Sequence, residues 1–169
     1  MIEIVPYDPA WAAAFAELRS RLSGPLSGVA SRIEHVGSTA VPGLAAKPVL
    51  DVTVVVDSVD HLPAVIRRLD PLGYRHLGGA GWDAFATPSG LPAHRLSVWA
   101  FDHPTLLSSL AYRDYLRTHP DTVRAYAELK YYLADRFRHD RATYAASKAA
   151  FIARIVSVTG NSRTPAAAT

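Results

Sequence analysis

Residues 35–53 concentrate the side chains whose types and spacing could do chemistry in this chain. Gly37-Ser38 follows the short extended stretch Arg32-Ile33-Glu34-His35-Val36. A Gly-Ser pair at a strand end leaves main-chain N–H groups open to close approach by an anion such as phosphate. Thr39 continues the turn, and Gly37, Ser38 and Thr39 form a candidate phosphate-binding loop. Lys47, just before Pro48, either reaches a phosphate or caps the loop. His35 either touches a ligand beside the turn or hydrogen-bonds a backbone carbonyl. A Walker-type loop is excluded, because that motif places four residues between its glycines and follows with Lys-Ser/Thr. Here five residues separate Gly37 from Gly43, and Leu44 comes next.

Asp51 interrupts the apolar run Val49–Val56. Side chains alternate on a strand, so Asp51, Thr53 and Val55 share one face and Leu50, Val52 and Val54 the other. One carboxylate in an apolar strand costs free energy unless something pairs with it. Mg²⁺ is one candidate partner, since it combines carboxylates with phosphate oxygens. Hydrogen bonds from the loop are the other. Further along, Tyr126 and Lys130 are four residues apart, as are Tyr144 and Lys148, so each pair lies on one helical face. With Arg113 these lysines suit the positive wall of an anion cleft. The plain alternative packs the rings in a core while the lysines snorkel to water.

The elements that must position these groups are legible from periodicity. Ile2–Val5 alternates like a short strand. Asp8-Pro9 suits a helix start, and Trp11, Phe15, Leu18 and Leu22 continue at helical spacing to about Gly24. Val49–Val56 has the β-branched composition of a central buried strand. Asp57-Ser58 caps a helix closed by Gly73, and Tyr74–Leu77 is extended again, the pattern of a strand–helix–strand unit. Strands follow at Trp82–Thr87 and Arg95–Phe101. Beyond Pro104 only helices are expected, at about 106–118, 121–137 and 140–157, with Asp121 and Asp140 at helix starts. One domain over 1–160 and a disordered small-residue tail over 161–169 complete the expectation.

The chain has 169 residues and no cysteine, which excludes a disulfide scaffold, a thiolate metal site and a cysteine nucleophile, and fits a cytoplasmic location. The N-terminus reads as no secretory signal, and no apolar run is long enough for a bilayer, so no membrane partner is expected. Net charge is +3. Residues 1–111 carry eight basic and ten acidic side chains and residues 112–158 nine and five, so the positive excess lies in the last third. With no recognition motif, that charge is too small to argue for nucleic acid.

His35-Val-Gly-Ser-Thr-Ala-Val-Pro-Gly-Leu-Ala-Ala-Lys-Pro-Val-Leu-Asp51-Val closely resembles the signature of the GrpB family. Val5-Pro-Tyr-Asp-Pro-Ala-Trp11, Tyr112 to Pro120, Tyr126 to Lys130 and His139 to Phe151 are similar to its opening and close. The resemblance implies a nucleotidyltransferase-like α/β (α+β) fold, a mixed sheet of about five strands flanked by helices, with a helical C-terminal third. In active members of that superfamily a Gly-Ser pair holds nucleotide phosphates, and carboxylates on neighbouring strands hold two Mg²⁺ ions. By position, Gly37 and Ser38 match the phosphate loop and Asp51 the first carboxylate, the implied catalytic and metal residue. Thr53 stands where the second carboxylate belongs and offers only a neutral hydroxyl. His94-Arg95-Leu96-Ser97-Val98 offers no third, which leaves Glu34, Asp83 or His94 as possible substitutes if the fold brings them near.

Two functions follow. One is a divergent transferase acting on a nucleotide or other phosphorylated small molecule with Mg²⁺. The other is a non-catalytic module with a nucleotide or protein partner, for which the resemblance supplies a precedent in GrpB-like domains fused to some dephospho-CoA kinases.

Overall fold

The computed structural model describes residues 1–78 and 83–159. The expectations for Trp82 and for the tail lie outside the described residues. The described residues form two compact units, one of residues 9–36, 49–78 and 83–103, the other of 1–8, 37–48 and 104–159.

The first unit is a sheet with helices. Helix α1 (Ala10–Ser23) begins one residue later than expected, with Pro9 rather than Asp8 at the N-cap position. Strands β1 (Arg32–Val36), β2 (Leu50–Val56), β3 (Arg75–Gly78), β4 (Asp83–Ala86) and β5 (His94–Ala100) form one sheet in the order β1-β2-β5-β4-β3. β2 pairs antiparallel with β1 and parallel with β5. Its strand–helix–strand crossover therefore runs through helix α2 (Leu62–Leu69), β3 and β4 before closing on β5. Periodicity finds the strands but cannot name the partner: β3, the next strand in the chain, ends at the far edge. The apolar run of β2 is buried on both faces except at Asp51, as an interior strand with a parallel neighbour requires.

Ser58 accepts a hydrogen bond from the Asp60 N–H at 3.2 Å, capping a single 3₁₀ turn (Val59–His61) that leads into α2. Gly73 ends the helical segment in the left-handed region, at φ 85°, and a Cβ there would lie 3.0 Å from Pro88 Cβ. Gly73→Ala is expected to cost about 2 kcal/mol, from φ and from this close approach, read as a lowered urea midpoint.

The second unit is helical: α3 (Pro104–Thr118), α4 (Pro120–Arg136) and α5 (Arg141–Val158). Asp140 caps α5, its carboxylate accepting the Thr143 N–H at 2.9 Å, and hydrogen bonds to Thr143 hold that carboxyl below its usual range. Val41, Leu44, Tyr112, Leu116, Val123, Tyr126, Ile155 and Val156 form its main core, so residues 37–48 are packed into this unit by Val41 and Leu44. Ile2, Leu133, Ala134 and Tyr144 form a smaller cluster. The expected N-terminal strand reduces to one bridge, Val5 with Ala46, because Ile2 instead donates its N–H to the carbonyl of Arg138 and Pro6 has no N–H to continue a ladder. No described helix is long and apolar enough to cross a membrane.

Candidate functional site

Within the sheet unit, register decides which polar residues share a face. Asp51 pairs with Val36 and Arg95, and Thr53 with Glu34 and Ser97, so Asp51, Thr53, Glu34, Arg95 and Ser97 all lie on one face. His35 and Leu96 pair with Val52, His94 with Leu50, and Asp83 with Val98, which puts His35, His94 and Asp83 on the other face. Of the three possible substitutes, register therefore keeps Glu34 and removes Asp83 and His94 from the face of Asp51. Asp83 is bonded to His76 at 2.7 Å instead. His94 bridges the Tyr74 hydroxyl (2.8 Å) and the Pro92 carbonyl (2.6 Å), and burial lowers its pKa. His35 is buried and stacks on Phe15 of α1 with centroids 4.7 Å apart.

Asp51 is partly exposed, and Arg95 Nε lies 2.9 Å from its Oδ1. The pairing is a consequence of register, since Arg95 is its neighbour on β5. The buried Thr53 hydroxyl lies 3.1 Å from that of Ser97, so two neutral hydroxyls satisfy each other where a charged cage would need carboxylates. Among the described residues no three His, Cys, Asp or Glu side chains come together as metal ligands. This donor set does not fit a two-ion cage. It is compatible with one Mg²⁺ that takes Asp51 as its protein ligand and completes its shell with ligand and solvent oxygens.

Within the helical unit, Gly37 sits at φ 72°, ψ −171°, a conformation essentially reserved for glycine. It opens the 3₁₀ turn Ser38–Ala40, closed by the N–H groups of Ala40 and Val41 on the carbonyls of Gly37 and Ser38. Thr39 is buried, and Arg117 Nε donates to the Ala40 carbonyl at 2.9 Å. The same segment carries Ala45, whose carbonyl accepts a hydrogen bond from Lys130 Nζ.

Lys130 does not snorkel: it is 2% exposed, with its ammonium 4.6 Å from the centre of the Tyr126 ring. Lys47 and Lys148 both stand over the Tyr144 ring, at 4.8 and 4.2 Å. Burial, and then the charge of Lys148, bring the pKa of Lys130 down to about 7. Three ammonium groups thus gather around two buried phenols near Ala45 and Lys47, in the segment that also carries Gly37. Arg113 is directed elsewhere, its Nε 2.7 Å from Asp114 Oδ1. Arg95 and Arg117 have no role in the sequence reading, because each makes its contact across a long stretch of chain.

A sheet in which an antiparallel neighbour and a parallel one flank the acid-bearing strand, followed by a helical C-terminal third, is a nucleotidyltransferase-like fold. Solved structures agree. The chain superposes on a poly(U) polymerase, Cid1 with bound MgGTP, at a TM-score of 0.54 and 17% identity, over 79% of this chain and 45% of that one, a likeness of fold alone. It superposes on the conserved protein GrpB from Enterococcus faecalis at a TM-score of 0.81 and 30% identity, over 93% and 96% of the two chains. The GrpB protein family profile matches residues 1–157, and the chain belongs to that family. It is 36% identical over 160 residues to the UPF0157 protein PA4798 of Pseudomonas aeruginosa, covering 92% of this chain and 66% of that protein's length. A dephospho-CoA kinase of Mycolicibacterium paratuberculosis matches over 105 residues at 32% identity, 60% of this chain and 25% of the kinase.

Proposed function

We propose that this protein binds a nucleotide or another phosphorylated small molecule through the Gly37-Ser38-Thr39 loop and the lysines of its helical unit, and that Asp51 of its sheet unit is the residue able to hold Mg²⁺. The observation that carries the reading is the cluster of Lys47, Lys130 and Lys148. Lys130 is hydrogen-bonded to the Ala45 carbonyl, further along the segment that carries the loop, and is buried at the expense of its own charge. Such a gathering of like charges is unfavourable on its own and becomes favourable when an anion joins it. Nucleotidyl transfer, the attack of a hydroxyl on an α-phosphorus with departure of pyrophosphate, is the extension of this reading. It would rest on Asp51 as the catalytic carboxylate, and its direct readout is pyrophosphate release.

A second reading is favoured by two specific observations. Asp51 is already paired with Arg95, and part of the chain is similar to part of a dephospho-CoA kinase. Together these suit an accessory module with a protein partner and no catalysis.

Thermal unfolding with ATP and with inorganic tripolyphosphate, each with and without Mg²⁺, separates the readings. A ligand at a hundred times its dissociation constant adds about 2.7 kcal/mol, a rise of several degrees for a chain of this size. Mg²⁺-dependent stabilisation that Asp51→Asn abolishes supports the metal-assisted reading. Stabilisation without metal, indifferent to Asp51→Asn, supports phosphate binding by loop and lysines alone. No shift with any phosphate compound supports the partner module.

A further inference from the structure

We infer that Arg95 makes the sheet face around Asp51 select a metal–polyphosphate complex over the bare metal ion. Its guanidinium competes with the ion for the Asp51 carboxylate, and moves to a phosphoryl oxygen when ion and polyphosphate arrive together. The inference rests on the reading that Asp51 holds Mg²⁺ and adds to it the form in which the ion is accepted. Arg95 Nε lies 2.9 Å from Asp51 Oδ1. A guanidinium has no lone pair to offer a metal, so it is a rival of the ion at this carboxylate and not a fellow ligand. The Arg95 side chain is 71% exposed against 30% for Asp51, so it can leave the carboxylate without uncovering core. An ion pair this exposed is weak, and a phosphoryl oxygen replaces the carboxylate as partner with little loss.

The rest of the face acts in the same direction. On the described strands, register places three arginines there, Arg32, Arg75 and Arg95, against two carboxylates, Glu34 and Asp51. The second carboxylate also has a guanidinium nearby, Glu34 Oε1 lying 3.9 Å from Arg32 Nη1. A bare dication therefore meets one available carboxylate and one net positive charge, which disfavours it. A complex of the same ion with a polyphosphate is anionic overall. It presents the metal to Asp51 and phosphoryl oxygens to Arg95, whose planar fork of donors suits them. Nucleoside triphosphates and inorganic polyphosphates share this chemistry.

The test titrates the full chain with Mn²⁺ as a paramagnetic substitute for Mg²⁺, alone and with inorganic tripolyphosphate, and reads water-proton relaxation. Binding that Asp51→Asn abolishes is counted as binding at this face. Arg95→Met, at an exposed position, is expected to keep the wild-type thermal midpoint to within a degree or so. It is expected to bind bare Mn²⁺ about three- to tenfold more tightly than wild type, and Mn²⁺–tripolyphosphate about tenfold more weakly. Opposite signs from one substitution are what a competitor for the carboxylate produces, whereas a purely structural arginine would move both affinities one way or neither. Arg95→Lys keeps the charge without the planar fork, and is expected to match wild type with the bare ion while losing about threefold with the complex. Asp51-dependent binding in which Arg95→Met shows no such reversal would overturn the inference and leave the metal reading standing. No Asp51-dependent binding of Mn²⁺ in wild type or Arg95→Met, with or without tripolyphosphate, would overturn both.

Discussion

Lys130→Met is expected to unfold at a higher temperature than wild type at pH 6 while losing most of its affinity for tripolyphosphate. The folded chain holds Lys130 at a pKa of about 7 against an ordinary 10.5. Below pH 7 both the folded and unfolded chains carry the proton, and the buried charge then costs the fold on the order of 4 kcal/mol. Between pH 7 and 10.5 the unfolded chain binds the proton more strongly, so wild-type stability rises with pH across that window. Above 10.5 the cost is gone. Methionine matches the length of the lysine stem and leaves the Ala45 carbonyl without its donor, which subtracts about 1 kcal/mol. The net gain is then about 3 kcal/mol at pH 6 and shrinks toward pH 10. Thermal melts of both proteins across this range check it, and a destabilised or pH-indifferent variant would mean that Lys130 is an ordinary structural cation. The affinity loss has a separate cause, removal of a charge-assisted hydrogen bond to phosphate, worth about tenfold to a hundredfold.

Gly37→Ala is expected to damage both fold and binding. At φ 72°, ψ −171° an alanine Cβ is strained by about 1–3 kcal/mol, and the strain falls on the residue whose carbonyl closes the Ser38–Ala40 turn. The chain relieves it by rotating the peptide, which breaks the turn and turns the Ser38 N–H away. The urea midpoint should fall and tripolyphosphate affinity should fall with it. Ser38→Ala, whose backbone stays unstrained, serves as the control that loses affinity at nearly unchanged midpoint. Equal affinity in Gly37→Ala and wild type would separate the loop from the ligand.

Much of this fold is readable in the sequence because its elements obey simple periods. Val49–Val56 announces a buried strand by composition, and the caps at Ser58 and Asp140 do what their side chains favour. What periodicity cannot supply is partnership. Nothing local tells β2 to pair with β5 instead of β3, and from that pairing follow the contact of Arg95 with Asp51 and the placing of Asp83 and His94 on the opposite face. The four-residue spacing of Tyr126 and Lys130 correctly puts them on one helical face. It is silent on whether the ammonium turns to water or to the Ala45 carbonyl, since a lysine stem is long enough for either.

The most direct measurement is the proton count of phosphate binding. Tripolyphosphate titrations at pH 8 in buffers of different ionisation enthalpy report how many protons the protein takes up on binding. A phosphoryl group beside Lys130 opposes the burial and the Lys148 charge that depress its pKa, so the ammonium should recover its proton. Wild type is expected to take up roughly one proton, after correction for tripolyphosphate itself, and Lys130→Met none. Binding with the same proton count in both proteins would contradict it.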